Sequence, residues 1–417
     1  MVDQAPTTAV RGQHAFRMDR QAGDNAKAKR ARIALAHDWL VAMRGGEQVL
    51  DRIARIVRAE HVPGSLYTLF NSGVHLTEAI DAFPRVASRY NRLPMASGKL
   101  RRWLLGRYPA AVESLRVRLE RDHEHEPIGL LFSTSSCAIK ALRAPAGVPH
   151  ICYCHTPARY LWSQQDEYSQ GKGLTARLRR MGLSAKGDKL REWDVQTVRS
   201  VDVFLANSQH TRELIQSVYQ REARIIHPPV RTEFFTPSQE ERQDFWLVVS
   251  ALEPYKRIDL AIEAALIGRK RLMVVGAGSQ GRALRRHAAK VSRYVRKSRG
   301  AAGSVEFLGR VPDEQLRSLY QRARLFVFPQ IEDFGIVALE AQACGTPVVA
   351  RRAGGALETV LEGRTGSFFD EPNAEALLEA AEKCPSGLDE NCRMNAEKFS
   401  EQRFDDAIRA EIARAIR

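Results

Sequence analysis

Two glutamates and one lysine in the second half of the chain have the types and the spacing to bind a phosphorylated sugar. Glu332 and Glu340 flank Gly335 in the segment EDFGIVALE, and Lys256 follows the apolar run FWLVVS. Carboxylate oxygens accept hydrogen bonds from sugar hydroxyls, whereas a lysine and the N–H groups of a helix N-terminus attract phosphate. We therefore expect a sugar-phosphate site here. The alternatives are a capped helix with nearby acidic residues and a lysine on the surface.

Gly45, Gly46 and His155 are the corresponding candidates in the first half. The glycine pair separates an apolar run from a helical segment, so its backbone can approach a phosphate closely; an ordinary tight turn is the alternative. His155 ends the run PHICYC, where its ring either reaches a cleft or is simply structural. Cys152 and Cys154 share the other face of that run and no second ligand pair is evident, which disfavours a metal site.

The elements that position these residues alternate between short apolar runs and segments of helical periodicity. Such alternation predicts parallel sheets covered by helices. In the first half the predicted helices are Glu47–Ala59 and Ser208–Tyr219, and residues 38–47 are predicted to form a loop. The predicted strands of this half are Arg32–His37, Gly129–Ser133, Pro149–Cys154 and Val201–Ala206.

A second alternating series follows a break at His227-Pro228-Pro229. Its predicted strands are Phe245–Ser250, Arg271–Val275, Val305–Leu308, Leu325–Phe328 and Pro347–Ala350. Its predicted helices are Arg257–Ala265, Asp313–Arg322 and Ile336–Ala343. The two series predict an α/β protein of two doubly wound, Rossmann-like domains. The carboxyl ends of both sets of strands face a central cleft, where ligands of such sheets bind.

Length and composition agree with a two-domain globular protein. The chain has 417 residues and a formal net charge of +15, from 64 Lys and Arg against 49 Asp and Glu. No apolar run approaches the roughly 18 residues of a membrane-spanning helix, and no signal-peptide pattern occurs in the polar first 29 residues. With six sparse cysteines, these features predict a cytoplasmic protein with reduced thiols and a disordered N-terminal extension.

The positive charge favours anionic partners. It is concentrated in three stretches: Arg85–Arg121, Lys172–Arg191 and Arg282–Arg299. The first also contains Trp103, Leu104 and Leu105, a combination that suits a helix lying on an anionic bilayer. A solvated helix face is the alternative for each stretch. No zinc-finger spacing or RNA-binding aromatic signature accompanies them, which disfavours nucleic acid as a partner. The sequence indicates no particular role for residues 282–303.

Taken together, the motifs resemble those of the retaining glycosyltransferases of family 4, which have the GT-B fold. They are Gly45-Gly46-Glu47, His155-Thr156-Pro157, Pro254-Tyr255-Lys256-Arg257, and Glu332 with Glu340 followed by ACGTPVV. The resemblance runs from about residue 31 to the C-terminus. The phrases ALAHDWL and YCHTPARYLW are also similar to a bacterial subgroup of mannosyltransferases that act on surface polysaccharides.

The resemblance implies how the chain is divided. After the extension of residues 1–29, residues 30–232 form an N-terminal acceptor-binding domain. Residues 233–399 form a C-terminal domain that binds the nucleotide sugar. The final helix, residues 400–417, packs back on the N-terminal domain.

The resemblance also implies roles at the donor site. Lys256 pairs with the donor diphosphate, supported by the amides around Gly45 and Gly46. Glu332 accepts hydrogen bonds from the transferred sugar, and Glu340 binds the ribose of the nucleotide. Further donor contacts are implied for the backbone of Phe334, Gly335 and Ile336 and, at the base, for Gly309, Arg310 and Val311.

His155 is implied to act beside the sugar ring with Glu332, and Arg159 and Tyr160 to lie on the acceptor side. One position departs from the family. Ala251 stands where an arginine often contributes a second cation for the diphosphate, so Arg257 or an arginine of the first domain is expected to substitute.

The implied reaction transfers a hexose, mannose from GDP-mannose, to a lipid-linked saccharide in cell-surface polysaccharide synthesis, at the inner face of the cytoplasmic membrane. No Asp-x-Asp motif occurs, so we expect neither a metal nor another cofactor. One alternative is a UDP-sugar-dependent glucosyl- or galactosyltransferase. The other is a non-catalytic basic binding protein on the same fold, for which the alanine at position 251 is the argument.

Overall fold

The computed structural model describes residues 31–98, 101, 103–162 and 187–417. The predicted disordered extension of residues 1–29, Lys99, Arg102 and most of the basic stretch Lys172–Arg191 lie outside the described residues.

Two parallel sheets carry the described part of the chain, which confirms the predicted doubly wound fold. The first sheet has strands β1 Arg32–Leu40, β2 Val62–Asn71, β3 Arg85–Ala87, β4 Leu130–Ser135, β5 His150–Cys154, β6 Val203–Ala206 and β7 Ala223–Ile225. The second has β8 Gln243–Val249, β9 Arg271–Val275, β10 Ser304–Gly309, β11 Ala323–Phe328, β12 Val348–Arg351 and β13 Gly366–Phe369.

Both sheets reverse their winding at one point. The strand orders are β3-β2-β1-β4-β5-β6-β7 and β10-β9-β8-β11-β12-β13. The reversal lies between β1 and β4 in the first sheet and between β8 and β11 in the second. Ligand crevices of such sheets open at the carboxyl ends of the strands beside this point.

Helices cover both faces of each sheet. In the first half they include α1 Gly45–Glu60, α2 Glu78–Asp81, α3 Tyr108–His125, α4 Arg159–Trp162 and α5 Gln209–Tyr219, and residues 187–197 are also helical. In the second half they are α6 Ile258–Ile267, α7 Gly281–Arg299, α8 Asp313–Arg322, α9 Ile336–Ala343, α10 Ala356–Thr359, α11 Ala374–Lys383, α12 Asp389–Glu397 and α13 Glu401–Ala415.

The sequence analysis does not predict β2, although it is the neighbour of β1. Pro63 and Gly64 interrupt its apolar pattern, and Gly64 lies so close to β1 that a Cβ there would be 2.9 Å from the carbonyl oxygen of Ile33. The predicted loop 38–47 is also shorter than expected, since β1 continues to Leu40 and α1 begins at Gly45. Edge strands β3, β7 and β13 are too short to stand out in the sequence.

The last helix, α13, packs against the first half of the molecule. Its apolar residues share one core with α1 and the first sheet: Phe404, Ile408 and Ile412. Arg52 of α1 donates from Nε to Oδ1 of Asp405 over 3.0 Å. The chain leaves the first half near Val230 and returns to it after Phe399. These two residues lie side by side, since the N–H of Val230 donates to the carbonyl of Phe399 over 2.9 Å.

In the basic stretch Arg85–Arg121, the described residues around Trp103 do not form the expected surface helix, and an α-helix of more than one turn begins only at Tyr108, the first residue of α3. Between β3 and α3 the chain makes short 3-10 turns at Arg89–Arg92 and Leu105–Arg107. Leu104 and Leu105 pack against the core and Tyr108 is buried, whereas Trp103 is exposed. None of the helices in the described part of the chain is long and apolar enough to cross a membrane.

Candidate active site

The N-termini of two helices, one from each half, meet at the cleft. Gly45 and Gly46 are the first residues of α1, and Ile336 is the first residue of α9. A Cβ on Gly45 would lie 3.8 Å from Cδ1 of Ile336. The first N–H groups of a helix have no partner within the helix, so both ends can donate to one anion placed between them.

Two histidine rings flank Gly46. A Cβ at this position would lie 3.6 Å from Nε2 of His155 and 3.6 Å from Cε1 of His37. The glycine therefore keeps the backbone of α1 open between the rings. We call Gly45, Gly46, His37 and His155 the first wall of the cleft.

His155 is neutral at physiological pH. Burial lowers the pKa of His155 to about 3, and neighbouring His37 and Arg159 lower it further. Its Nε2 atom is buried and has no hydrogen-bond partner among the described residues. The carbonyl of His155 accepts a hydrogen bond from Nδ2 of Asn207 over 2.9 Å, which holds the residue just after β5. A neutral imidazole with a free nitrogen can hydrogen-bond a sugar hydroxyl.

His37 of the first wall lies beside a buried carboxyl group, Glu47, and the sequence predicts a role for neither residue. Nδ1 of His37 lies 2.6 Å from Oγ1 of Thr134, and its Nε2 lies 3.8 Å from Oε1 of Glu47. Glu47 is buried, and its Oε1 has no hydrogen-bond partner within the described ranges. The only sequence signal for Glu47 is its place directly after the glycine pair, and His37 is hidden at the end of an apolar run.

The second wall of the cleft consists of Lys256 and the loop Glu332–Ile336. Nζ of Lys256 makes an ion pair with Oε1 of Glu332, which also accepts from Nε2 of Gln330 over 3.1 Å. Burial alone would raise the pKa of Glu332, but the charges of Lys256 and Arg159 and the hydrogen bonds lower it below its ordinary value. Glu332 is therefore ionised at neutral pH, and its carboxylate already holds Lys256 in the cleft.

Arg159 joins the two walls. It lies at the start of α4 in the first half, and its Nη2 pairs with Oδ2 of Asp333 in the second wall. The adjacent residues Glu332 and Asp333 thus bind cations from opposite halves of the molecule. The sequence analysis does not single out Asp333, because its partner is distant in the chain.

Glu340 lies one helical turn inside α9 and is buried. Burial raises the pKa of Glu340 to about 7, against the opposing effects of Arg231 and of the Tyr320 hydroxyl, which donates to Oε2 over 3.3 Å. Near neutral pH this carboxyl group can donate as well as accept a hydrogen bond. A ribose, whose hydroxyls do both, suits such a group.

Gly335 and Phe334 shape the loop before α9. Gly335 has a φ of 96°, and a Cβ there would lie 2.7 Å from Cζ of Phe328. Only glycine fits this position without displacing the aromatic ring. The Phe334 side chain is buried and stacks on His227, with ring centroids 5.4 Å apart. Phe334 therefore presents its backbone, and not its ring, to the cleft.

A second link between the halves lies behind this loop. Oε1 of Glu358, in α10, accepts from the N–H of Gln209 at the start of α5 over 2.7 Å. Its Oε2 lies 3.1 Å from Nε2 of His227, the ring that stacks on Phe334. The loop Glu332–Ile336 is thus supported from behind by residues of both halves.

Three other residues predicted to contact the donor lie at the following places in the structure. Arg257 has a φ of 48° and directs its guanidinium to Asp259, with Nη2 and Oδ2 3.1 Å apart. Arg310 is exposed beyond β10, after Gly309, whose carbonyl accepts from the N–H of Gly276 over 2.7 Å. Val311 packs against the core of the second half.

Tyr160 is not on the surface of the cleft, contrary to the acceptor-side prediction. Its side chain is buried in the core of the first half, where its ring meets Tyr108 edge-on at 6.4 Å and its hydroxyl hydrogen-bonds with Cys137. In the short helix α4, Arg159 and Tyr160 are adjacent and point to different sides. Only Arg159 faces the second wall.

The groups that line the cleft are cations, carboxylates and backbone N–H groups. No group of three or more His, Cys, Asp or Glu side chains in the described residues is arranged to hold a metal ion. The prediction that no cofactor is needed therefore stays a prediction. The arrangement suits a phosphate between two helix N-termini with a sugar beside it.

The fold and this site define a glycosyltransferase of the GT-B class. A family model described as Glycosyltransferase Family 4 matches residues 43–234, and one described as Glycosyl transferases group 1 matches residues 230–399. The two matches adjoin and together span both halves of the cleft. The chain belongs to the family 4 glycosyltransferases.

Curated relatives at about 30% identity carry two related names. A GDP-mannose-dependent alpha-(1-6)-phosphatidylinositol monomannoside mannosyltransferase of Mycolicibacterium smegmatis is 33% identical over 205 residues, 43% of this chain and 52% of the relative. A D-inositol 3-phosphate glycosyltransferase of Gordonia bronchialis is 32% identical over 250 residues, 53% of this chain and 54% of the relative. The chain spans about half the length of the curated relatives it matches.

Solved structures share the architecture over nearly the whole chain. Sucrose-phosphate synthase from Thermosynechococcus elongatus superposes with a TM-score of 0.69 at 18% identity, covering 92% of this chain and 98% of that one. Anabaena HepE in complex with UDP superposes with a TM-score of 0.64 at 16% identity, covering 92% and 99%. At this level of identity the likeness concerns the fold.

Proposed function

We propose that the protein is a retaining glycosyltransferase that transfers mannose from GDP-mannose to a saccharide carried on a lipid. Family membership supports sugar transfer, and the name of the Mycolicibacterium smegmatis relative supports both the donor and a lipid-borne acceptor. The observation that carries the proposal is the close approach of the N-termini of α1 and α9, at Gly45 and Ile336, four residues along the chain from the Glu332 that pairs with Lys256.

The donor diphosphate lies between the two helix N-termini in this proposal. Lys256 leaves Glu332 and pairs with the phosphate, so the lysine exchanges one ionic partner for another. The Glu332 carboxylate keeps the hydrogen bond from Gln330 and the nearby positive charge of Arg159. Glu332 is then free to accept hydrogen bonds from the hydroxyls of the transferred sugar. Glu340 accepts from and donates to the ribose, as its raised pKa permits.

In the proposed transfer, the bond between the anomeric carbon and the phosphate oxygen breaks. The acceptor oxygen bonds to that carbon from the same face, and its proton passes to the leaving phosphate. Negative charge develops on the leaving group, where Lys256 and the helix amides are already oriented to stabilise it. Neutral His155 hydrogen-bonds the sugar through Nε2 without placing a second positive charge beside an electron-poor ring.

The acceptor approaches from the side of Arg159 in this proposal. We further propose that the acceptor is a lipid-linked saccharide of cell-surface polysaccharide synthesis and that transfer takes place at the inner face of the cytoplasmic membrane. The relative named for a phosphatidylinositol mannoside supports a lipid-borne acceptor. The net charge of +15 supports work at an anionic surface.

Turnover of GDP-mannose in the presence of a chelator tests this proposal. We expect release of GDP from GDP-mannose without added metal, faster than release of UDP from UDP-glucose. Glu332→Gln should lower the rate about 100-fold or more, as loss of one interaction in a preorganised site does. Glu371→Gln, on an exposed residue, is the matched control and should leave the rate unchanged.

The same assay separates the alternatives. Faster release of UDP would keep the fold and overturn the donor, and HepE, whose structure contains UDP, is a neighbour of that kind. A requirement for a divalent metal would overturn the metal-independent mechanism. No turnover or binding of any nucleotide sugar would favour the non-catalytic binding protein.

A further inference from the structure

The helix α7 carries a cationic face that the proposed catalytic site does not use. It runs from Gly281 to Arg299 on the outside of the second half. Eight of its side chains are exposed Lys or Arg: Arg282, Arg285, Arg286, Lys290, Arg293, Arg296, Lys297 and Arg299. None of the eight makes an ion pair with another described residue, and no Asp or Glu occurs between Glu263 and Glu306.

This face lies flat on the molecule. Leu284, Ala288 and Val295 are buried at helical spacing and Val291 packs beside them, so the whole length of α7 is held on the core of the second half. At 1.5 Å per residue, its 19 residues extend over about 28 Å. The cations therefore form a long, outward-facing stripe.

We propose that the cationic face of α7 docks the protein on the anionic headgroups of a lipid bilayer. Charge complementarity selects an anionic partner, and the flat stripe fits an extended surface better than it fits a nucleic-acid groove, which a protruding helix enters. Tyr294 is 72% exposed on this helix, and such a ring suits the boundary between water and lipid. The inference rests on the proposed lipid-borne acceptor.

The position of α7 connects the surface to the catalytic cleft. The helix follows β9, so its first turn lies at the edge of the sheet where the candidate site is built. There the hydroxyl of Ser279 donates to Oε2 of Glu253 over 2.6 Å, and Lys256 follows in the same turn. A bilayer held along α7 therefore lies next to the turn that carries Lys256. The basic stretch around Trp103 is not needed for this contact.

Flotation of the full chain with vesicles tests the proposal. We expect binding to vesicles of equal parts phosphatidylcholine and phosphatidylglycerol, weak binding to phosphatidylcholine alone, and loss of binding at high salt. Each Lys or Arg near such a surface contributes roughly fivefold in affinity, so R286E/K290E/R293E/K297E should lose binding by more than about a hundredfold. The control R212E/R364E/K398E/R403E reverses as many exposed charges away from α7 and should retain most of the binding.

Two results would overturn the proposal. One is equal loss of vesicle binding in both quadruple variants, since net charge alone would then account for it. The other is α7-dependent binding of duplex DNA or RNA with no binding to anionic vesicles, which would assign the face to nucleic acid. GDP binding by the α7 variant, measured in parallel, separates this proposal from the proposed function, because the donor site does not involve the four reversed residues.

Discussion

The two walls of the cleft bind with different chemistry. The first wall offers a helix N-terminus and the rings of His37 and His155, with the pKa of His155 lowered to about 3 by burial. The second wall offers the Lys256–Glu332 ion pair, and the helix that follows it, α9, carries Glu340, a carboxyl group whose pKa burial raises to about 7. The neutral ring of His155 thus faces a wall that carries an ion pair. In the proposed function, Lys256 of the second wall and the helix N-termini of both walls therefore bind the diphosphate, while His155 of the first wall positions the sugar without adding a positive charge.

Removing the cation of the second wall should have the largest effect. Lys256→Ala leaves the developing phosphate charge to the helix amides alone, and we expect turnover of GDP-mannose to fall about 100- to 1000-fold. Lys256→Arg should restore only part of it, since the guanidinium has a different shape and reach. Lys398→Ala, on an exposed residue, is the control. A loss of less than about threefold in K256A would remove Lys256 from the donor site.

The glycines of the two walls should respond differently to alanine. Gly335→Ala adds a Cβ at a φ of 96° and 2.7 Å from Phe328, so we expect a loss of about 2–3 kcal/mol in the free energy of unfolding. Gly46→Ala meets its neighbours at 3.6 Å, an ordinary contact, so stability should change little. Gly46→Ala should instead raise the KM for the sugar donor, because the added methyl group occupies the approach to the N-terminus of α1. Urea unfolding and donor kinetics check both, and equal stability losses would contradict the comparison.

The two walls should also contribute to stability with opposite dependence on pH. The pKa of Glu340 is raised to about 7, so the folded state binds the extra proton and this contribution falls as pH rises from about 4.5 to about 7. The pKa of His155 is lowered to about 3, so the unfolded state binds the extra proton and this contribution grows as pH rises from about 3 to about 6.5.

Replacing each residue by uncharged glutamine separates the two contributions to the pH dependence of stability. Between about pH 5 and pH 7, Glu340→Gln should gain stability relative to the native chain by 1–3 kcal/mol, and His155→Gln should lose relative stability by a similar order. Urea unfolding at several pH values measures both. The same sign of change in the two variants would show that their environments are not opposite.

The smallest effect is expected where the walls are joined. Arg159 is about one-third exposed, so solvent screens its pairing with the buried Asp333, and we expect a coupling energy of about 1 kcal/mol in a cycle of Arg159→Ala, Asp333→Asn and the double variant. The coupling should appear in donor KM as well as in stability, because the pair holds the loop that carries Glu332. Additive effects on both quantities would mean that the pair does not join the walls.

The sequence predicts the parts of this site that lie at strand ends and in short motifs. Lys256, Glu332, Gly335 and Glu340 are recognisable because their residue types are unusual after a strand or around a helix start. Asp333 is not recognisable, because its meaning comes from Arg159, a partner that only folding brings near. Tyr160 shows the converse, since its neighbour faces the cleft while its own ring completes a core.

The fold shows the same limits. Long buried strands such as β4 and β9 follow from apolar runs, and α13 follows from apolar residues at four-residue spacing. Strand β2 does not, since Pro63 and Gly64 lie inside it and the tight approach of Gly64 to β1 is a tertiary feature. The stretch around Trp103 has the composition of a surface helix, but packing of Leu104 and Leu105 on the core divides it into turns.

Calorimetric titration of GDP, UDP and ADP into the full chain, with a chelator present, tests whether Lys256 binds a GDP-linked donor without metal. We expect GDP to bind at least about tenfold more tightly than UDP or ADP. Lys256→Ala should abolish this binding, whereas Lys398→Ala should retain it. No binding of any nucleotide in the native chain, or binding that survives Lys256→Ala unchanged, would contradict this expectation.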